Sequence, residues 1–172
     1  RESRDMTRLG WSVEPDQEER TRRDFVQKYS WAIPNEEAID ALVEREPIIE
    51  IAAGGGYWAH LVERRGAEIR ATDKEPWDDT WTEIKQASHE IVKEYNGWTL
   101  FTCWPSYAEE WTGEMLQMYE GDTVVYVGEG RGGCTGNQKF HEVLDTKFGI
   151  AEEVIDIPQW YGIHDRMYIF ES

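Results

Sequence analysis

Three consecutive glycines, Gly54, Gly55 and Gly56, set the strongest constraint on how this chain can fold. They follow a short apolar run, Pro47 to Ala53, whose only carboxylate is Glu50. After them Trp58, Leu61 and Val62 recur at helical spacing, and Gly66 closes that segment. Glu68 to Thr72 reads as a second short strand, ended by Asp73. Strand, glycine turn, helix, strand and acidic residue make one βαβ unit of a Rossmann-like sheet. Glycines at a strand's carboxyl end let a ligand approach backbone that a Cβ would shield. The helix after them offers free N–H groups, and a carboxylate at the next strand end can accept from ribose hydroxyls. The unit therefore suits a nucleoside-containing cofactor. The plainer alternative is a tight strand-to-helix turn that binds nothing.

Two cofactor patterns compete for this turn. The dinucleotide form G-x-G-x-x-G/A is met with Ala59 in the last place. However, Glu50 lies inside the first strand. The run Glu50-Ile51-Ala52-Ala53-Gly54-Gly55-Gly56 resembles the E/D-x-G-x-G-x-G signature of class I S-adenosylmethionine-dependent methyltransferases, with Ala52 in place of the first glycine. Three further segments, Trp31-Ala32-Ile33-Pro34-Asn35, Cys103-Trp104-Pro105-Ser106-Tyr107 and Gly162-Ile163-His164-Asp165, look like parts of a group of small methyltransferase-like proteins. The likeness covers most of residues 29–170.

That resemblance implies S-adenosyl-L-methionine as cofactor, with Asp73 on its ribose and the glycines under its amino-acid part. The implied contact set is Glu50, Ala52, Gly54, Gly56, Tyr57, Trp58, Asp73, Lys74, Cys103 and Trp104. An N-terminal segment often lies over the cofactor in this family, which adds Tyr29 and Trp31; Trp31 could equally staple a helix to the sheet.

The expected architecture is α/β, a three-layer sandwich around a mostly parallel sheet with an antiparallel C-terminal edge hairpin. All 172 residues read as one domain. Residues 1–17 read as a loose arm, and 18–46 as N-terminal helices on the cofactor side, with Asn35 capping the helix from Glu36 to Glu44. Trp81 to Tyr95 has a helical stripe in Ile84, Ala87, Ile91 and Tyr95, which leaves the usual third strand very short or lost. Thr99 to Thr102 is a strand, Tyr107 to Met118 a helix, and Asp122 to Val127 a central strand. Asn137 to Phe148 is a helix, and Ala151 to Ile157 with Met167 to Phe170 form the edge pair.

The formal charge of −17 argues against duplex nucleic acid as a partner. Arg20, Arg22 and Arg23 are the densest basic group, but Glu18, Glu19 and Asp24 surround them, so they read as a solvated helix face. No apolar run is long enough to span a membrane. Two cysteines, Cys103 and Cys134, make neither a disulfide framework nor a zinc spacing, and a cytoplasmic setting fits. The chain begins at Arg1 rather than Met, which leaves room for a native start upstream. No metal site is expected.

The substrate side is less defined. Trp104-Pro105-Ser106-Tyr107 invites comparison with the D/N/S-P-P-Y/F motif of amino-methyltransferases, but Trp104 stands where that motif has its polar acceptor. Tyr107 could still stack on an aromatic substrate. The loop Gly128 to Gly136 holds Glu129, a candidate proton acceptor, and Arg131, a candidate anion clamp. His164 is a candidate base. The substrate-binding set is thus Trp104, Tyr107 and Arg131, and the catalytic candidates are His164, Tyr107 and Glu129; His60, His89 and His141 read as structural. Three functions remain open: methyl transfer to a small-molecule acceptor, a non-catalytic cofactor- or partner-binding relative, and an NAD-dependent oxidoreductase.

Overall fold

The computed structural model describes residues 15–172. Two N-terminal helices, α1 (Pro15–Lys28) and α2 (Glu36–Val43), precede β1 (Ile48–Ile51). Then come α3 (Tyr57–Arg64), β2 (Ile69–Asp73), β3 (Lys85–Gln86), a 3₁₀ helix (His89–Glu94) and β4 (Thr99–Cys103). The chain ends with α4 (Trp111–Met118), β5 (Thr123–Gly128), α5 (Gln138–Lys147), β6 (Glu153–Asp156) and β7 (Arg166–Glu171). Asn35 caps α2, accepting from the Ala38 N–H at 2.9 Å, as its place before two acidic residues predicts.

The seven strands form one sheet in the order β3-β2-β1-β4-β5-β7-β6. Only β7 runs antiparallel to its neighbours, which makes the expected C-terminal hairpin. Strand order reverses at β1, which has β2 on one side and β4 on the other. Open α/β sheets bind ligands at such a reversal, beyond the carboxyl ends of the strands. Here that edge carries the glycine turn, Asp73 and Cys103-Trp104.

Alternation along the strands divides the core between the two faces. Ile48, Phe101, Val125 and Met167 pack with Leu42 of α2 and with Trp58 and Val62 of α3. Ile49, Ile51, Leu100 and Val124 pack with Met115 and Leu116 of α4 and with Phe140 and Leu144 of α5. Each face of the sheet is covered by helices, so β1 is buried throughout, Glu50 included. Among the described residues no helix is long and apolar enough to cross a membrane.

Three expectations are corrected. Residues 15–17 belong to α1, not to a loose arm; residues 1–14 lie outside the described part. The helix expected over Trp81 to Tyr95 is instead an extended stretch, the two-residue β3 and a 3₁₀ helix. Tertiary bonds override its helical stripe: Trp81 donates from its backbone to Gly55, Lys85 and Gln86 pair in parallel with Thr72 and Asp73, and Ser88 caps the 3₁₀ helix. The third strand is therefore present and very short. Finally, α4 begins at Trp111, not Tyr107. Pro105 and Ser106 are held extended against the glycine loop, through Gly136 N–H to the Pro105 carbonyl at 2.8 Å and a bridge between Ser106 and Thr135.

Candidate active site

The glycine turn occupies the reversal point and is built by its neighbours. Gly54 and Gly56 have φ of 60° and 77°, the left-handed region that favours glycine. Ala52 also sits there, at 60°, in the place where the sequence signature has a glycine. Asp73 clamps the turn: its Oδ2 accepts from Gly54 N–H at 2.8 Å and its Oδ1 from Glu75 N–H at 2.8 Å. The carboxylate at the end of β2 thus fixes the turn at the end of β1.

Two adjoining cavities flank Ala52 and Asp73. One, of about 470 Å³, is lined by Ala52, Asp73, Lys74, Ser88, His89 and Trp111, among others. It lies at the carboxyl ends of β2 and β3, where Ala87 and Ser88, just after β3, form part of its wall. The other, of about 200 Å³, lies over the glycine turn and reaches Tyr29, Trp31, Glu50, Trp58, Cys103 and Trp104. Trp77 and Ser106 complete its wall.

Glu50 carries the electrostatic weight of this second cavity. It is 2 % exposed, and its Oε1 has no hydrogen-bond partner. Burial, with help from the charges of Asp73 and Glu63, pushes its pKa up to about 8. Among the described residues no lysine, arginine or histidine lines this cavity. A cation entering it would meet an unpaired carboxyl group ready to ionise. Burial likewise drives the Cys103 thiol well above its ordinary value, reinforced by Asp165 and Glu50, which makes it a poor nucleophile.

Of the twelve proposed cofactor residues, Tyr29, Trp31, Glu50, Ala52, Gly54, Trp58, Asp73, Cys103 and Trp104 border the smaller cavity, and Lys74 the larger. Gly56 and Tyr57 border neither. A Cβ on Gly56 would meet Ile84 and Thr82 at 3.1 Å, so this glycine serves packing of the turn against the segment before β3. Tyr57 packs between Tyr29 and Trp81.

The substrate-side candidates are not brought together. Arg131, the candidate anion clamp, is ion-paired with Asp145 on α5. Tyr107 is 63 % exposed and borders neither cavity. Glu129 accepts from the backbone N–H groups of His164 and Cys134 at 3.2 and 3.1 Å. Burial pushes its pKa up, but these bonds outweigh it and hold the carboxylate below its ordinary value. Glu129 is thus a clasp between the glycine loop and the β6–β7 turn. His164 points outward, 64 % exposed, with its Nδ1 3.8 Å from Glu129.

Asp165, next to His164, is the buried group instead. Its Oδ1 accepts from the Trp104 indole at 2.9 Å, and its Oδ2 has no partner. Burial raises its pKa to about 7 against the lowering effect of that bond. Trp104 stacks on Trp31 at 5.2 Å, and the Arg22 guanidinium lies within 6 Å of both rings, at 5.8 and 5.7 Å. The arginine expected on a solvated face therefore caps an aromatic pair. His89, read as structural, lines the larger cavity and sits 3.3 Å from Glu114. The one cue to its placement was Ser88, a 3₁₀-helix cap easily taken for part of a longer helix.

No protein-family model and no curated protein matches the chain. Solved structures do match in fold. The methyltransferase domain of a bacterial Hen1 (CtHen1-CN) superposes with a TM-score of 0.54 at 12 % identity, over 79 % of this chain and 96 % of that one. Magnesium protoporphyrin IX methyltransferase (ChlM) from Synechocystis PCC 6803, solved with bound S-adenosylmethionine, gives 0.54 at 11 %, over 94 % and 86 %. The methyltransferase CalO6 gives 0.53 at 12 %, over 90 % and 66 %. With its seven-stranded sheet, its reversal at β1 and its antiparallel β7, the chain has the fold of the class I S-adenosylmethionine-dependent methyltransferases.

Proposed function

We propose that the protein is an S-adenosylmethionine-dependent methyltransferase acting on a small, partly aromatic acceptor. The observation that carries this is Glu50: a buried carboxyl group with an unpartnered oxygen, beside Asp73, in a cavity that no basic side chain among the described residues lines. Glu50 would hold the cofactor's amino-acid ammonium, which would supply the missing partner. The larger cavity would hold the cofactor's adenosine, with Asp73 available to the ribose and Lys74, Ser88 and His89 to the base. A dinucleotide's pyrophosphate in the same place would set its negative charge against Glu50 and Asp73, which disfavours the oxidoreductase reading.

The chemistry asks little of the protein. When bound, the cofactor would supply an activated methyl group on a sulfonium that is already a good leaving centre. Positioning and exclusion of water are the main contributions. Trp31, Trp104 and Ser106, which line the smaller cavity, would position the acceptor. His164 is exposed, and Asp165, although one of its oxygens is unpartnered, borders neither cavity, so neither is placed to take a proton from the acceptor. Free thiols at Cys103 and Cys134 suit a reducing, cytoplasmic setting.

Calorimetry with S-adenosylhomocysteine and with NAD tests this. S-adenosylhomocysteine binds the wild type, NAD does not, and Glu50→Gln weakens binding. Binding of NAD alone overturns the proposal. A second reading, a cofactor-binding relative without transferase activity, draws on Trp104, which fills the place of a polar acceptor and spends its indole donor on Asp165.

A further inference from the structure

The glycine turn is covered, and what covers it is a tryptophan. A Cβ built on Gly55 would lie 2.6 Å from Trp77 Cε3 and 3.0 Å from Cζ3. One on Gly54 would lie 3.2 Å from Trp77 Cε2 and 3.3 Å from its Nε1. The indole therefore rests against both glycines, on the surface they leave bare. That surface is where the cofactor's amino-acid part would run on its way to Glu50. We propose that Trp77 is a gate on the cofactor site: its indole covers this surface and swings away when the cofactor binds. The inference rests on the cofactor assignment made above.

The surrounding segment is built for such a swing. On its N-terminal side Glu75 N–H is fixed to Asp73 Oδ1 at 2.8 Å. On its C-terminal side Trp81 is fixed three times: its backbone N–H donates to the Gly55 carbonyl at 2.8 Å, its indole N–H donates to the Lys28 carbonyl at 2.8 Å, and its ring stacks on Tyr29 at 5.4 Å. Between these anchors Trp77 has a single backbone bond, to the Gly54 carbonyl, at 3.5 Å, the outer limit of a hydrogen bond. Its neighbours Asp78, Asp79 and Thr80 are exposed, and the indole itself is half-buried. Moving it breaks little packing and leaves both anchors in place. The cavity beside it, about 200 Å³, grows by the volume of the ring when it leaves and then joins the larger cavity across Ala52 and Asp73.

A gate of this kind lowers apparent affinity by the fraction of molecules in which it stands open. Removing the indole removes that burden. Trp77→Ala in the full chain should bind S-adenosylhomocysteine about tenfold more tightly than wild type, with the gain in the association rate measured by stopped flow. Trp77→Phe, with a smaller ring, should fall between. Circular dichroism and thermal melting verify that each variant is folded. Weaker or unchanged binding by a folded Trp77→Ala overturns the gate and leaves the cofactor assignment standing, since Trp77 would then be a wall of the site. Absence of binding by wild type and both folded variants overturns the gate and the cofactor assignment together.

Discussion

Trp104 and Asp165, 61 positions apart in sequence, are joined by a 2.9 Å hydrogen bond from the indole nitrogen to a carboxyl group that is 1 % exposed. The bond ties the end of β4 to the turn before β7. It also holds Trp104 at a φ of 55°, a conformation that a bulky residue keeps only when its surroundings enforce it. Trp104→Phe keeps the ring stack with Trp31 but leaves Asp165 with no partner on either oxygen. It should destabilise the protein by about 1–3 kcal/mol. The loss should be larger at pH 8 than at pH 5, because Asp165 titrates at about 7 and the bond matters most to its charged form. Denaturant titrations at the two pH values measure this; equal losses would show that the bond does not serve the carboxylate.

Glu50 gives the clearest dependence on pH. Its pKa goes from an ordinary 4.5 to about 8 on burial, so folding favours the neutral form. Its stabilising contribution is complete below pH 4.5 and is lost as pH rises through 8. Wild type and Glu50→Gln should therefore be similar in stability near pH 4.5. Above pH 8 the variant should be the more stable, by an amount on the order of 3–5 kcal/mol. Cofactor binding runs the other way, since the ammonium needs the ionised carboxylate. Affinity for S-adenosylhomocysteine should rise roughly tenfold per pH unit up to about 8 in wild type, and not in Glu50→Gln. A flat affinity profile in wild type would place the ammonium elsewhere.

The parts of the chain legible in its sequence are those fixed by local chemistry. The β1–turn–α3–β2 unit could be read because apolar periodicity, glycine and a terminal carboxylate coincide within Pro47 to Asp73. The cap at Asn35 and the buried run of β5 belong to the same class. The segment from Trp81 to Tyr95 is not legible in this way, because its spacing is helical while its backbone bonds go to Gly55, Thr72 and Asp73. Arg131 and His164 were placed at the site by topology alone. Their actual surroundings depend on Asp145 and Glu129, partners that spacing does not reveal. Asp165 is not legible as a buried group, because nothing near it in sequence announces an indole 61 residues away.

Ala52 offers a test of backbone strain. At φ 60° its Cβ is in the left-handed region, which costs an L-residue roughly 1–2 kcal/mol relative to glycine. Ala52→Gly should recover part of this, offset by the greater freedom of glycine in the unfolded chain, for a net gain of up to about 1 kcal/mol. Thermal melting of the two proteins decides it. A destabilised Ala52→Gly would mean that contacts of the methyl group outweigh the strain.

Gly55 and Trp77 are coupled by contact, which a double-mutant cycle can read without any ligand. The Cβ of Gly55→Ala would come within 2.6 Å of the Trp77 ring, closer than side chains approach. Gly55 carries no left-handed φ, so alanine there meets no backbone penalty of its own. The whole cost should come from displacing the indole, about 1–3 kcal/mol if the neighbouring backbone shifts and less if the ring simply leaves. In the Trp77→Ala background the same substitution should be nearly neutral. The coupling should therefore be of the size of the single-mutant cost and opposite in sign. If alanine at Gly55 costs the same with and without Trp77, the indole does not occupy the turn in solution.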